Sequence, residues 1–292
     1  MKDDDYTFVA RLVKEKSGLV LPGDKHYLVE SRLSPVARDA GNSGLADFIT
    51  RLRRPEAMAL REAVVEAMTT NESLFFRDKV PFEHFTGVML PQLLAARAAT
   101  RHLRIWSAAA STGQEPYSLA MCLQELGPRI AGWRIEILGT DISTQALDRA
   151  RAGRYSQFEI QRGLPQNLLT KHFTHRTDET GDCWEISPAI RAMVTYRKFN
   201  LLEPFTALGR FDIVFCRNVL IYFDPKTKTE VLDRIARVLA PDGFMMLGAA
   251  ETIVGLTDSF QAVPGRRGLY QLASQPLNGR KPDVAPTRLP SV

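Results

Sequence analysis

The spacing of apolar residues changes near residue 100 and divides the chain into two regions. From about residue 4 to 68, apolar side chains such as Phe8 and Leu12 recur every three or four positions, which is typical of helices that bury one face. Beyond residue 100, short apolar runs alternate with amphipathic segments of helical length, as in a parallel sheet covered by helices. The pattern predicts an N-terminal helical domain over 1–75 and an α/β domain over 76–273.

Five short apolar runs in the second region are predicted to be strands of one sheet. They cover residues 103–108, 134–140, 194–199, 211–216 and 244–248. The amphipathic segments between them predict helices over 115–126, 143–152 and 226–239. We expect Pro241-Asp242-Gly243 to end the last helix. Two later runs, 259–263 and 269–272, flank a Pro-Gly turn and are predicted to pair as a hairpin that closes the sheet.

The interval between the second and third predicted strands is too long for one crossover helix. Within it, the polar sequence Asp178-Glu179-Thr180-Gly181-Asp182 separates two segments of strand-like composition and predicts a hairpin turn. We therefore expect a small β-subdomain inserted at about 154–193.

The composition of the chain is that of an ordinary globular protein. Of its 292 residues, 45% are hydrophobic and 24% are charged, which excludes fibrous and wholly disordered classes. The stretch 274–292 differs, because its four prolines and few large apolar side chains predict a disordered tail. Basic residues exceed acidic ones by five, a mild excess that permits an anionic partner without indicating nucleic acid.

The cysteines, the N-terminus and the apolar runs indicate where the protein acts. Three isolated cysteines, Cys122, Cys183 and Cys216, form no CxxC pair, so we expect reduced thiols and no metal site. No run approaches 18 apolar residues, so no membrane insertion is expected. The acidic start of the chain is unlike a secretory leader, and a cytoplasmic protein is expected.

Small residues fill the predicted turn between the first strand and the first helix of the α/β domain. Residues 106–117 read WSAAASTGQEPY. Small side chains let a ligand approach backbone N–H groups at the carboxyl end of a strand, where nucleotide-like ligands bind in such folds. Only Gly113 is a glycine, which weakens a pyrophosphate-binding interpretation. A tight turn without a ligand is the alternative.

Asp141 ends the second predicted strand. An acid at this place can accept hydrogen bonds from both ribose hydroxyls of an adenosine ligand. Asp141 could equally be a helix cap before Ser143. The neighbouring turn of small residues favours the ligand interpretation.

Two further sequences combine polar groups with aromatic residues. Residues 69–77 read TTNESLFFR, and residues 211–223 read FDIVFCRNVLIYF. For the first, a capped helix start with buried aromatics is as good an explanation as a ligand site. For residues 211–223, a core strand explains only the first half of the sequence. It does not account for Arg217 and Asn218 at the carboxyl end of the strand, where sites of this architecture lie.

Together, the four sequences resemble the CheR family of chemotaxis receptor methyltransferases, which use S-adenosylmethionine. The resemblance runs from about Thr7 to Leu272. It implies an all-α N-terminal domain, a Rossmann-like class I S-adenosylmethionine-dependent methyltransferase sheet of seven strands, and a small inserted β-subdomain.

The resemblance also implies a set of site residues. The implied cofactor contacts are Asn71, Ser73, Arg77, Ala108, Glu115, Asp141, Asn200, Leu201, Arg217 and Asn218, and no metal is implied. Departures from the family pattern are modest, since Ser73 keeps the hydroxyl of the usual Thr and Glu115 is retained beside Gln114. The implied reaction transfers a methyl group to a receptor glutamate and gives a methyl ester. Arg77 and Tyr222 are the candidate catalytic residues.

A glutamate nucleophile needs no general base, because its reference pKa of about 4.3 leaves it ionised at neutral pH. The family's basic N-terminal surface implies that acidic receptor helices dock on Arg32, Arg38, Arg51, Arg53 and Arg54, although ordinary solvation would also explain these arginines. Residues 159–165 look like those of members whose β-subdomain binds no receptor tether. The alternative functions are methylation of another molecule and cofactor binding without catalysis.

Overall fold

The computed structural model describes residues 1–23, 25–178 and 181–273. Its helices are α1 (Asp3–Ser17), α2 (His26–Asp39), α3 (Leu45–Leu52), α4 (Met58–Met68), α5 (Val80–His84), α6 (Leu90–Ala96), α7 (Gln114–Gln124), α8 (Thr144–Ala152), α9 (Gln157–Gln161), α10 (Gln166–His172), α11 (Pro188–Arg191) and α12 (Pro225–Val238). A π-helical turn joins α5 to α6, and short 3₁₀ helices include Leu220–Tyr222. The predicted disordered tail lies outside the described residues.

The strands are β1 (His102–Ala108), β2 (Arg134–Asp141), β3 (Arg154–Tyr155), β4 (Phe173–Asp178), β5 (Gly181–Ile186), β6 (Val194–Lys198), β7 (Phe211–Cys216), β8 (Leu239–Leu247), β9 (Phe260–Ala262) and β10 (Leu269–Leu272). Seven of them form one sheet in the order β6-β2-β1-β7-β8-β10-β9. The first five in this order are parallel, and β10 is antiparallel to both its neighbours. The predicted seven-stranded α/β sheet is therefore confirmed.

Helices α1 to α4 pack around an apolar core of their own. Val9, Leu33, Phe48 and Val64 come one from each helix and are fully buried in it. Within each helix, the buried residues recur every three or four positions, as Val9, Leu12 and Val13 do in α1, and this repeat predicts one buried face. After α4, an irregular segment over 69–79 carries the chain to α5.

The large sheet is buried on both faces. Ile213 and Phe215 of β7 belong to one apolar core, whereas Val214 and Cys216 belong to the other, as the two-residue period of a strand requires. Helix α7 covers the first face and α12 covers the second. Because β1, β2, β6 and β7 are parallel, their carboxyl ends lie along one edge of the sheet.

The predicted β-subdomain is a separate antiparallel sheet in the order β3-β5-β4. Strands β4 and β5 pair in register from Phe173 opposite Ile186, which confirms the hairpin. Short helices surround this sheet, and α9 starts with a capping box between Ser156 and Glu159. Among the described residues, no helix is long and apolar enough to cross a membrane.

The prediction for residues 239–243 was wrong. Helix α12 ends at Val238, and β8 begins immediately, so Pro241, Asp242 and Gly243 lie inside the strand. The pairing with β7 is irregular here, because Phe211 pairs with Leu239 but Ile213 pairs with Phe244, so Pro241, Asp242 and Gly243 lie where the register shifts. The Asp242 carboxylate accepts two hydrogen bonds from the Arg97 guanidinium, at 2.7 and 2.6 Å, and a Cβ on Gly243 would lie 2.7 Å from the Asp212 carbonyl oxygen.

Candidate functional site

A cavity of about 350 Å³ lies between the N-terminal helices and the carboxyl ends of the parallel strands. This volume is in the range of small-molecule sites. Both parts of the chain contribute to its wall, with Leu19 to Pro22 from the loop after α1 and Phe199 to Leu201 from the loop after β6. The predicted site residues that line it are Asn71, Ser73, Arg77, Glu115, Asp141, Asn200, Leu201, Arg217, Asn218 and Tyr222.

Ala108 is the predicted site residue that the cavity lining does not include. It is fully buried in β1, where it pairs with Thr140 and Cys216. The next residue, Ala109, does line the cavity and has a φ of 62°. The chain therefore turns away from the sheet one residue after Ala108.

Asp141 is 6% exposed and is held from two sides. One carboxylate oxygen accepts from the Ser143 N–H at 2.9 Å and the other from the Ser111 N–H at 2.8 Å. Burial raises the pKa of this carboxyl, and the backbone hydrogen bonds oppose that shift. The cap of α8 is the Ser143 side chain, which accepts from the Ala146 N–H. A carboxylate offers about four acceptor sites, so Asp141 can accept further hydroxyl donors.

The turn of small residues is fixed by contacts on both sides. Gly113 has a φ of 95°, and a Cβ there would lie 2.7 Å from the Tyr196 hydroxyl oxygen, so glycine is required. Tyr155 of the β-subdomain donates to the Thr112 carbonyl at 2.9 Å. Ser111 donates from its hydroxyl to the Asn71 carbonyl at 2.8 Å, which joins the turn to the segment after α4.

Arg217 is a buried cation held by two carboxylates. Its side chain is 1% exposed, and its two terminal nitrogens each lie 2.8 Å from an acid, Glu115 on one side and Asp78 on the other. Ser107 donates to the second oxygen of Glu115 at 2.8 Å. Among the described residues, the Arg217 Nε is buried without a hydrogen-bond partner. The guanidinium also lies over the Phe82 ring, with its carbon 5.9 Å from the ring centroid.

Glu251 holds the loop after β7, and the sequence reasoning missed it. Its carboxylate accepts from four backbone N–H groups at 2.7 to 3.0 Å, those of Asn218, Val219, Leu220 and Gly248. These bonds fix Asn218 at a φ of 58° and the start of the 3₁₀ turn that carries Tyr222. The only sequence signal was an acid shortly after the carboxyl end of a strand.

The two candidate catalytic side chains have few bonds of their own. The Arg77 guanidinium donates one long hydrogen bond, 3.4 Å, to the Glu72 carbonyl. The Tyr222 carbonyl accepts from the Val20 N–H at 2.9 Å, and a β-bridge joins Leu19 to Phe223. The loop after α1 is thereby attached to the turn that carries Tyr222.

Asn200 and Asn71 form hydrogen bonds with backbone and side-chain groups of both domains. Asn200 donates to the Lys16 carbonyl at 2.6 Å and accepts from the Leu202 N–H at 3.0 Å. Asn71 donates to the hydroxyls of Thr69 and Ser143, at 3.2 and 3.3 Å. Hydrogen bonds of Asn200 and Asn71 therefore link the two domains at the cavity wall.

The five arginines expected to dock a partner have different environments. Arg32 donates to the carbonyls of Met68 and Thr69 at 2.8 and 2.9 Å and lines the cavity. Arg51 and Arg53 also bond within the N-terminal helices, to Asn42 and Asp5 respectively among other partners. Arg38 and Arg54 are exposed.

The doubly wound sheet, the acid at the end of β2 and the cavity at the strand ends fit a class I S-adenosylmethionine-dependent methyltransferase. The all-alpha domain of the CheR methyltransferases matches residues 4–69, and their S-adenosylmethionine-binding domain matches residues 71–269. The chain belongs to the CheR methyltransferase family, which confirms the resemblance, and S-adenosylmethionine is its cofactor.

Several curated proteins are similar over nearly the whole chain. Chemotaxis protein methyltransferase 1 of Pseudomonas aeruginosa is 42% identical over 274 residues, which cover 92% of this chain and 97% of that protein. Chemotaxis protein methyltransferase 1 of Vibrio cholerae is 40% identical over 93% and 98% of the two chains. The chemotaxis protein methyltransferase of Salmonella typhimurium is 33% identical over 89% and 88%.

Proposed function

We propose that this protein methylates glutamate side chains in the cytoplasmic helices of chemoreceptors, with S-adenosylmethionine as the methyl donor and a methyl ester as the product. The observation that carries the proposal is the cavity between the two domains, where Arg77 and Tyr222 line the same space as Asp141 and Arg217. The relatives from Pseudomonas aeruginosa and Vibrio cholerae are chemotaxis protein methyltransferases, which supports the choice of a receptor substrate. The protein would act in the cytoplasm.

The chemistry of the lining residues fits the parts of the cofactor. Asp141 can accept hydrogen bonds from ribose hydroxyls, and Asn200 and Leu201 line the same cavity nearby, in a place suited to the base. Glu115 can accept from an ammonium group, and the positive charge of Arg217 in the same wall can attract a carboxylate. Asn71, Ser73 and Asn218 supply further polar groups. When bound, the cofactor supplies a methyl group activated by a positively charged sulfur.

The protein's own part in the reaction is to position an ionised glutamate and to exclude water. No base is required, because the glutamate is already deprotonated at neutral pH. Alignment of the two reactants can supply up to roughly 7–11 kcal/mol. We assign the orientation of the incoming carboxylate to the Tyr222 hydroxyl and to the Arg77 guanidinium, whose hydrogen bond to the Glu72 carbonyl is long, 3.4 Å.

The arginines of the N-terminal domain are our candidates for docking acidic receptor helices. Arg38, Arg53 and Arg54 are exposed and can meet acidic side chains of a receptor helix. Arg32 and Arg51 bind backbone carbonyls inside the domain and would contribute less. We propose no receptor-tether site on the β-subdomain.

Transfer of a labelled methyl group tests the proposal. The protein is incubated with methyl-labelled S-adenosylmethionine and receptor-containing membranes, and the labelled receptor is then treated with mild alkali. We expect label on the receptor that is released as methanol, and no label when the modified glutamates are replaced by alanine. Label that survives alkali would show methylation of nitrogen instead. Absence of label despite cofactor binding would show that the protein binds the cofactor without using it on receptors.

A further inference from the structure

Glu66 of the N-terminal domain caps a helix of the sheet domain. This residue lies in α4, and its carboxylate accepts a hydrogen bond from the Ser143 hydroxyl. It also accepts from the Thr144 N–H at 2.9 Å and from the Gln145 N–H at 3.3 Å. Thr144 and Gln145 are the first residues of α8, whose N–H groups have no partner within the helix. A carboxylate at this end of a helix is also favoured by the helix dipole.

The capped loop is the one that carries Asp141. Ser143 is fully buried, and its N–H donates to the Asp141 carboxylate at 2.9 Å. The hydroxyl of Ser143 also accepts from Asn71, at 3.3 Å. Ser143 thus links Glu66 to Asp141 and Asn71, which both line the cofactor cavity. Glu66 itself is not part of that cavity's wall.

This part of the domain junction is held by the hydrogen bonds of Glu66 and is not filled by side-chain packing. A second cavity of about 530 Å³ lies beside the capped loop and is lined by Glu66, Ile142 and Thr144 among others. It shares Ile142, Phe199 and Asn200 with the first cavity. Loss of the Glu66 bonds would therefore leave the loop from Ile142 to Gln145 with open space to move into.

We propose that Glu66 is a positioning residue that couples the placement of the N-terminal domain to cofactor affinity. It does so by holding Ser143, and through Ser143 the carboxylate of Asp141. The inference rests on the proposed function in one respect only: the kinetic measurement needs the protein to methylate receptors, whereas the binding and hydrogen-exchange measurements do not. Because coupling between two sites is reciprocal, the bound cofactor product should in turn slow hydrogen exchange at the N–H groups of Thr144 and Gln145.

The test compares Glu66→Ala with Glu62→Ala. Glu62 is a matched control, since it lies in the same helix and lines the same second cavity, but its side chain is 70% exposed and its one ion pair, with Lys198, is 3.7 Å long. Calorimetry with S-adenosylhomocysteine should show roughly tenfold weaker binding for Glu66→Ala and wild-type binding for Glu62→Ala. Exchange at Thr144 and Gln145 should become faster in the first variant only.

Two further measurements separate positioning from a general loss of stability. Glu66→Gln keeps one acceptor oxygen and should recover part of the affinity, and its binding decides the matter if Glu66→Ala does not fold. In the methylation assay, KM for S-adenosylmethionine should rise while kcat stays within about twofold. Wild-type affinity in folded Glu66→Ala, or equal loss in both alanine variants, would overturn the inference. Failure of the wild-type protein to methylate receptors, with affinity intact, would count against the proposed function and leave the inference standing.

Discussion

At the scale of single residues, the site divides into side chains that several hydrogen bonds to the protein hold in place and side chains that have few such bonds. Asp141, Glu115 and Glu251 each accept at least two hydrogen bonds from the protein, so their positions are set before any ligand arrives. Within the described chain, no hydrogen bond joins the Tyr222 hydroxyl to another residue. The first group builds the cavity wall, and we propose that the Tyr222 hydroxyl contacts the substrate.

Substitution of Tyr222 tests this division. Tyr222→Phe removes the hydroxyl and leaves the backbone bond to Val20 in place, so the turn should keep its structure. If the hydroxyl donates to the substrate carboxylate, kcat should fall by roughly tenfold or more, as for the loss of a hydrogen bond to a charged group. The affinity for S-adenosylhomocysteine should be unchanged by calorimetry. Wild-type turnover in this variant would remove Tyr222 from the mechanism.

The sequence indicated some of these residues and could not indicate others. Asp141 and the pair Arg217-Asn218 stand directly after apolar strands, so their place at the sheet edge followed from the pattern. Glu66 accepts from N–H groups 78 and 79 positions away, and three of the four N–H groups bound by Glu251 lie 31 to 33 positions away. Nothing in their local sequence distinguishes them from ordinary exposed acids.

At the scale of elements, strands were predicted well where burial on both faces makes the run continuously apolar. The prediction for β7, 211–216, coincides with the observed strand. It failed at the start of β8, where Pro241-Asp242-Gly243 lies in an irregular part of the strand and Asp242 forms an ion pair with Arg97. Such a contact joins positions far apart in the chain, and a local pattern does not contain it.

The start of α12 gives an element-scale prediction. Asp224 caps this helix by accepting from the Thr227 N–H at 2.8 Å, and it pairs with Lys14 of α1 at 2.7 Å. The Lys14 ammonium, followed by the Thr227 hydrogen bonds, holds the pKa of Asp224 well below its usual range. The stabilisation is therefore present above about pH 4, the pKa of an unfolded Asp, and is lost as pH falls through the lowered folded pKa.

Asp224→Ala should lower the free energy of unfolding by about 1 kcal/mol at pH 7, as for the loss of an N-cap. Urea unfolding at a series of pH values checks this, and the gap between wild type and variant should narrow below pH 4. The control is Glu230→Ala in the same helix, whose exposed 3.6 Å pair with Arg234 predicts a change within about 0.5 kcal/mol. A gap that stays constant into strong acid would contradict the role assigned to the Asp224 charge.

At the scale of the whole molecule, the two domains are joined around the cavity rather than beside it. The loop after α1 pairs with the turn of Tyr222, Asn200 binds the end of α1, and Glu66 caps α8. Each of these contacts links the N-terminal helices to an element that lines or supports the cofactor site. The alternation of apolar runs predicted both domains, but it could not predict that the site would need both.

The most direct test of this account is a crystal structure of the full chain with S-adenosylhomocysteine. We expect the nucleoside in the cavity between the domains, with its ribose hydroxyls about 2.5–3.0 Å from the Asp141 carboxylate and its sulfur on the side of Tyr222. Density for the ligand at another place, or a cavity filled by the protein's own side chains, would contradict it.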